Sequence, residues 1–237
     1  MAALYLIRHG QASFGQADYD LLSEKGEKQA FVLGQSWQHY PTPSYCYQGE
    51  FLRHEQTRHQ FFNGLAISQP STIFHSGFNE FDHQDILIQY QPKWHRFSVM
   101  EAHFSQYPDP HDALAREFEK AVARWMSGEH DNEYRESWPN FQMRCIQAIN
   151  DVIDQHLSAR ATNAEHKEIL VFTSGGPIAV ILSHILGLEC HQGMALSQQL
   201  RNTSVTKLLF NDNRVSVDFY NNYSHLIQHG EQLESYR

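Results

Sequence analysis

Apolar residues along the chain form short continuous runs that alternate with stretches in which they recur every three or four positions. The runs predict buried strands, and the spaced stretches predict helices that bury one face. This alternation is typical of an α/β fold in which helices cover a mostly parallel sheet. The predicted strands are residues 4–7, 45–47, 72–74, 169–173, 205–210 and 215–220.

Polar residues and glycines mark where the predicted helices begin and end. Ser23 can cap a helix whose first turn carries Glu24 and Glu27. Gly187 follows the last apolar position of a late helix and predicts its end. An Asn-Asp-Asn turn at 211–213 predicts a hairpin between the last two strands. The predicted helices cover residues 24–37, 52–67, 113–126, 139–153 and 178–185.

The pattern changes between about residues 85 and 138, where aromatic residues, prolines and charges occur in short helical stretches. We interpret this segment as a mainly helical cap that is inserted into a single domain spanning residues 1–237. The predicted fold is therefore a three-layer α/β/α sandwich with a mostly parallel central sheet and a helical cap insertion.

The composition mainly excludes classes of partner. The 237-residue chain is 41% hydrophobic and has a formal net charge of −9, which disfavours nucleic acid or an anionic membrane as the main partner. Cys46, Cys145 and Cys190 are too few, and odd in number, for a disulfide framework. We expect a cytoplasmic protein, because the first strand begins without a cationic leader and no apolar run reaches transmembrane length.

Charged residues and glycines directly follow two of the predicted strands. Arg8, His9 and Gly10 end the first strand, and Ser-Gly-Gly-Pro at 174–177 follows the fourth. Ligands of open α/β sheets bind at the carboxyl ends of the strands, and a helix start offers free backbone N–H groups to an anion. Arg53, at the start of the second helix, adds another guanidinium. Together these residues predict a pocket for a phosphoryl group.

Short motifs occur along nearly the whole chain outside the inserted segment. They are Arg8-His9-Gly10, Leu22-Ser23-Glu24-Lys25-Gly26 with Gln29-Ala30, Leu52-Arg53 with Gln56-Thr57, Phe78-Asn79-Glu80-Phe81-Asp82, Gly175-Gly176-Pro177-Ile178, Asn202-Thr203-Ser204-Val205 and His225-Leu226. In order and spacing this set resembles the histidine phosphatase superfamily, which includes the cofactor-dependent phosphoglycerate mutases. The resemblance implies the phosphoglycerate mutase-like form of the α/β/α fold.

The resemblance also implies a phosphatase that hydrolyses a small phosphomonoester through a phosphohistidine intermediate. His9 would be the nucleophile, and Arg8 and Arg53 would hold the phosphoryl oxygens. Glu80 would be the general acid that protonates the leaving group, with Asp82 as the reserve candidate. The expected partner is a small phosphorylated substrate or a phosphate ion.

Two positions depart from the pattern of the superfamily. Ser174 stands where the superfamily has a second catalytic histidine, and losing that donor would cost about 2–4 kcal/mol of transition-state stabilisation. Gly15 stands where the mutase-like members have an asparagine. Both departures disfavour mutase activity. They leave a second function open, that of a weakened relative which binds a phosphorylated metabolite or partner without significant turnover. Ser174 and Gly175 remain predicted phosphate contacts.

Other residue patterns do not support alternative chemistry. His54 and His59 are one residue too far apart for the zinc-protease helix motif, and no cysteine–histidine pair has structural-zinc spacing, so we expect no metal and no other cofactor. Ser174 lacks the Gly-x-Ser-x-Gly elbow of a serine nucleophile. Arg58 is predicted to be a solvated helix residue. His225 is interpreted either as a pocket residue or as a structural histidine that holds the last loop.

Overall fold

The computed structural model describes residues 2–13, 20–160 and 168–236, and a six-stranded sheet forms its centre. The strands are β1 (Ala2–Arg8), β2 (Tyr45–Gln48), β3 (Thr72–Phe74), β4 (Glu168–Thr173), β5 (Val205–Asn211) and β6 (Arg214–Asn222). They lie in the order β3-β2-β4-β1-β5-β6. The three pairs among β3, β2, β4 and β1 are parallel, and the pairs β1-β5 and β5-β6 are antiparallel. The predicted mostly parallel sheet and the hairpin at 211–213 are confirmed.

The helices follow the predicted pattern in the main. They are α1 (Glu24–Ser36), α2 (Leu52–Leu65), α3 (His83–Tyr90), α4 (Phe97–Phe104), α5 (Pro110–Met126), α6 (Trp138–Arg160), α7 (Gly175–Leu186), α8 (Cys190–Gln199) and α9 (Ser224–Ile227). Ser23 caps α1 by accepting a hydrogen bond from the Gly26 amide at 3.1 Å, and Gly187 ends α7 with a φ of 65°. The sequence did not predict α8, because few of its positions are apolar. Within the described ranges, no helix is both long and apolar enough to cross a membrane.

β1 is buried on both faces, and its alternate residues belong to two separate cores. Leu4 and Leu6 pack with residues of α6 and α7, whereas Tyr5 and Ile7 pack with residues of α1 and α2. Because successive side chains of a strand point to opposite faces, α6 and α7 cover one face of the sheet and α1 and α2 cover the other. This is the predicted three-layer α/β/α sandwich.

Two glycines bring α1 and α2 into direct backbone contact. A Cβ atom at Gly34 would lie 1.9 Å from the carbonyl oxygen of Phe61, and a Cβ atom at Gly64 would lie 2.0 Å from that of Phe31. Both distances are far shorter than any van der Waals contact, so neither position accepts a side chain without separating the helices. The contact holds α2, whose first turn carries Arg53, at a fixed distance from α1.

Residues 81–143 form a second compact unit with an aromatic core of its own. Trp125 lies at the centre of this core, with its ring centroid 5.1–5.5 Å from those of Trp138, Phe81 and Phe141. Aromatic pairs at such distances add to the stability that burial alone provides. The unit contains the segment that was predicted as an insertion at about 85–138, and the role of that segment as a cap stays a prediction.

Candidate active site

Two neighbouring strands deliver the candidate residues to the same edge of the sheet. β1 and β4 are parallel, and Arg8 is the register partner of Thr173. His9 and Ser174 therefore leave the sheet side by side. β2 pairs with β4 on its other side, and α2 begins four residues after β2 with Arg53 in its first turn. Residues that are far apart in sequence thus meet where an open α/β sheet binds its ligands.

His9 is a buried imidazole whose ring proton can be assigned from its hydrogen bond. His9 is only 8% exposed, and its Nδ1 lies 2.7 Å from the Gly10 carbonyl oxygen. Because a carbonyl oxygen can only accept, Nδ1 carries the proton and Nε2 holds a lone pair. Burial holds the pKa of His9 well below its ordinary value, and the charges of Arg53 and Arg8 lower it further. His9 is therefore a neutral imidazole with a free nucleophilic nitrogen.

The backbone around His9 is fixed by hydrogen bonds to three different segments. The His9 amide donates to the Thr173 carbonyl at 2.9 Å, and the His9 carbonyl accepts from the Asn202 side chain at 3.1 Å. The Gly10 amide donates to Thr57 Oγ1 at 3.0 Å. Thr57 and Asn202 belong to motifs that carried the family resemblance, and here they position the loop that presents the imidazole.

Arg8 contributes a guanidinium on one side of His9. Its Nη1 donates to the Leu200 carbonyl oxygen. Its Nε would lie 3.8 Å from a Cβ atom at Gly175, so the guanidinium lies against the start of α7. The structure thus brings Arg8 together with both His9 and Gly175, three of the residues that the sequence predicted as phosphate contacts.

Arg53 contributes the second guanidinium and is paired with a carboxylate. The residue is 6% exposed, and its Nη1 donates to Asp20 Oδ1 at 2.7 Å. The guanidinium also lies over the Phe51 ring, 4.3 Å from the centroid. Nε of Arg53 is buried, and no acceptor for it is found among the described residues. An anion at this position would meet one unused donor and one donor that Asp20 occupies.

The start of α7 is held by Glu80. The Gly176 amide donates to Glu80 Oε2 at 3.1 Å, which places this carboxylate at the end of β4 beside Ser174. Asp82 is occupied elsewhere, because its side chain accepts from the Gln84 and Asp85 amides at the start of α3. Of the two carboxylates, Glu80 is the one that contacts the start of α7.

Ser174 has a partner that the sequence did not predict. It is fully buried, and its Oγ lies 2.8 Å from Nε2 of His54, which is also fully buried. The His54 ring centroid is 5.9 Å from that of His9. Burial and the charge of Arg53 hold the pKa of His54 well below its ordinary value, while the Gly49 backbone acts in the opposite direction. A second imidazole is therefore present in the site, and it comes from α2 rather than from the end of β4.

Arg58 and His225 are both buried. Arg58 is only 5% exposed and donates from Nε to Gln48 Oε1 at 2.6 Å, so the prediction that it is solvated is wrong. His225 lies 2.9 Å from Thr203 Oγ1, and burial lowers its pKa to about 3. These contacts favour the interpretation of His225 as a structural histidine.

Gly10 packs directly against the backbone of α1. A Cβ atom at Gly10 would lie 2.4 Å from the Gly26 carbonyl oxygen, so the loop can approach α1 only because this residue has no side chain. Gly15 lies outside the described residues. Within the described part of the chain, no cluster of three or more histidine, cysteine or acidic residues could hold a metal ion.

The chain was compared with known proteins. The family model of the histidine phosphatase superfamily (branch 1) matches residues 91–223. No curated protein sequence matches the chain significantly. Among solved structures, phosphoglycerate mutase from Bacillus anthracis str. Sterne is similar at 17% sequence identity, with a TM-score of 0.65 and 97% of each chain covered.

Two further solved structures are similar along nearly their whole length. Mycobacterial glucosyl-3-phosphoglycerate phosphatase, in complex with inorganic phosphate, is 18% identical with a TM-score of 0.64, covering 95% of this chain and 99% of that one. A mutant phosphoserine phosphatase from Entamoeba histolytica, in complex with phosphoserine, is 18% identical with a TM-score of 0.62, covering 95% and 100%. At such identities these structures establish the fold alone. Because the family model matches more than half of the chain, this protein belongs to the histidine phosphatase superfamily.

Proposed function

We propose that this protein hydrolyses a small phosphomonoester through a phosphohistidine intermediate on His9. The observation that carries the proposal is a neutral, buried imidazole with a free Nε2, within electrostatic range of Arg8 and Arg53. A neutral imidazole is a nucleophile, and guanidinium groups match the oxygens of a phosphoryl group in geometry and charge. Two similar structures are complexes with inorganic phosphate and with phosphoserine, which supports a ligand of the same class here.

The first step transfers the phosphoryl group to the enzyme. Nε2 of His9 attacks phosphorus in line, a P–N bond forms and the ester P–O bond breaks. The leaving alkoxide takes a proton from the Glu80 carboxylic acid. Arg8 and Arg53 hold the non-bridging oxygens, whose charge changes most in the transition state.

The second step returns the enzyme to its starting state. A water molecule attacks phosphorus, its proton goes to the Glu80 carboxylate, and the P–N bond breaks to release inorganic phosphate. For Arg53 to hold the phosphoryl group through Nη1 as well as Nε, Asp20 must release Nη1, because its carboxylate accepts from that nitrogen. We therefore propose that substrate phosphate and Asp20 compete for the same guanidinium.

The proposal extends to the setting of the reaction. We propose a cytoplasmic enzyme, because Cys46 is a buried free thiol and the odd number of cysteines suits a reducing compartment. We also retain the proposal that the segment at about 85–138 is a cap that selects the substrate. The net charge of −9 supports neither nucleic acid nor an anionic membrane as a partner.

The test is phosphate release from p-nitrophenyl phosphate and from a panel of alkyl phosphomonoesters by the wild-type protein and by His9→Ala. We expect release by the wild type, a trapped phosphoenzyme after rapid quenching, and neither in His9→Ala. The departure at Ser174 supports a second candidate, a weakened relative that binds phosphate without turnover. If the wild type releases no more phosphate than His9→Ala on every substrate, the hydrolase proposal is wrong. Phosphate binding that depends on Arg8 and Arg53 would then favour the second candidate.

A further inference from the structure

The two buried side chains His54 and Ser174 form a contact that the reaction steps above do not use. Nε2 of His54 lies 2.8 Å from Ser174 Oγ, and both residues are fully enclosed. Ser174 stands between the end of β4 and the start of α7, next to the register partner of Arg8. The His54 ring is also close enough to His9 to lower the pKa of that imidazole. The pair therefore borders the nucleophile and the phosphoryl pocket.

We propose that His54 and Ser174 act as one hydrogen-bond relay that takes the place of the missing second imidazole: His54 Nε2–H donates to Ser174 Oγ, and the Ser174 hydroxyl donates to the bound phosphoryl group. The inference rests on the proposed phosphatase function and deepens it. Under this assignment Ser174 is a catalytic residue that touches the substrate, and His54 is a positioning residue that acts through it.

The direction of the relay follows from the single proton of a hydroxyl. If Nε2 of His54 had no proton, it would accept the Ser174 proton, and Oγ would present only lone pairs to the anion. If Nε2 carries a proton, it occupies a lone pair of Oγ and leaves the hydroxyl proton for a phosphoryl oxygen. An anion in the site therefore selects the neutral ring with its one proton on Nε2, and Nδ1 of His54 makes no hydrogen bond among the described residues that would hold the proton there.

The hydroxyl is not used to cap the helix that follows it. Ser174 is the residue that precedes α7, yet its side chain makes no hydrogen bond to the amides of the first turn. Glu80 instead accepts from the Gly176 amide. Within the described residues, Ser174 Oγ forms a hydrogen bond with His54 alone, so its proton is available to a ligand once Nε2 acts as the donor.

Kinetics of matched variants test the relay. We expect Ser174→Ala and His54→Phe each to lower kcat for p-nitrophenyl phosphate by about 100-fold, with a smaller change in KM. The double variant should lose no more than the worse single variant, because both changes break one chain of hydrogen bonds. His54→Gln should recover part of the loss, because its amide N–H can donate to Oγ. His59→Phe, which alters an exposed histidine on the same helix, should leave kcat unchanged.

Tautomer assignment on the wild-type protein provides a second measurement that does not depend on how the variants fold. Inorganic phosphate is titrated into protein with ¹⁵N-labelled histidine, and the His54 ring nitrogens are followed by NMR. We expect Nε2 to be protonated in the phosphate-bound protein. An unprotonated Nε2 with phosphate bound would overturn the relay, as would a Ser174→Ala variant that keeps kcat within about twofold of the wild type.

The outcomes separate the relay from the phosphatase proposal. A wild type that is active and needs His9, with Ser174→Ala equally active, would remove the relay and keep the phosphatase. Losses that multiply in the double variant would show that the two side chains act independently, which also removes the relay. A wild type with no more activity than His9→Ala would remove both.

Discussion

Acidification from pH 7 to pH 5 should lower the free energy of unfolding, because the unfolded chain takes up protons on histidines that the folded protein keeps neutral. His9, His54 and His225 are buried and have lowered pKa values. Above pH 6.5 neither state binds a proton at these rings. Below pH 6.5 the unfolded state does and the folded state does not, so stability falls as the pH falls.

The size of the effect can be worked out for His225. Its pKa is about 3 in the folded protein and ordinarily 6.5, a difference that corresponds to about 5 kcal/mol once the pH is well below 3. Between pH 7 and pH 5 the loss is about 2 kcal/mol. His9 and His54 also have lowered pKa values, so they should add to this loss in the same direction. The contribution of His225 alone is already a sizeable share of the 5–15 kcal/mol typical of a folded protein.

Urea unfolding at pH 7, 6 and 5, followed by tryptophan fluorescence, measures this loss. In His225→Gln the decrease between pH 7 and pH 5 should be smaller than in the wild type by about 2 kcal/mol, because glutamine does not titrate. His59→Gln, at an exposed ring, should leave the decrease unchanged. If His225→Gln loses as much stability as the wild type over this range, His225 takes up a proton in the folded protein and the reasoning is refuted.

Three further predictions concern packing, affinity and acid catalysis. Gly34→Ala should lower the free energy of unfolding by about 3 kcal/mol, because a Cβ atom there would lie 1.9 Å from the Phe61 carbonyl oxygen. Thermal denaturation measures this loss, and an unchanged melting temperature would contradict the backbone contact. Asp20→Asn should tighten inorganic phosphate binding by up to about fivefold in calorimetry, because it removes a competitor for Arg53; weaker binding would argue against competition. Glu80→Gln should lower kcat for an alkyl phosphate by about 100-fold, and for p-nitrophenyl phosphate by less, since nitrophenolate leaves without a proton; equal losses on the two substrates would exclude Glu80 as the acid.

The sheet and the strand ends could be predicted because their signals are local. The apolar run at 4–7 ends in Arg8 and His9, and no neighbouring residue is needed to recognise a buried strand that ends in polar groups. The hairpin at 211–213 and the end of α7 at Gly187 depend on backbone conformations that a few residue types favour. These features were therefore confirmed.

The inner face of α2 could not be predicted, because its polar residues are satisfied by distant partners. Arg58 is buried since Gln48 accepts from its guanidinium, and His54 is buried since Ser174 contacts its ring. The sequence shows only a helix with many polar residues, which is more often an exposed helix. The His54–Ser174 contact joins residues 120 positions apart, and no helical or strand period relates them.

The central position of β1 in the sheet affects how the protein folds during synthesis. β1 spans Ala2–Arg8, whereas its neighbours in the sheet, β4 and β5, begin at Glu168 and Val205. During synthesis on the ribosome, the apolar residues of β1 therefore have no partner strand until β4 and β5 have emerged. The proposed nucleophile is translated before both partner strands, yet it can become competent only after they have joined the sheet.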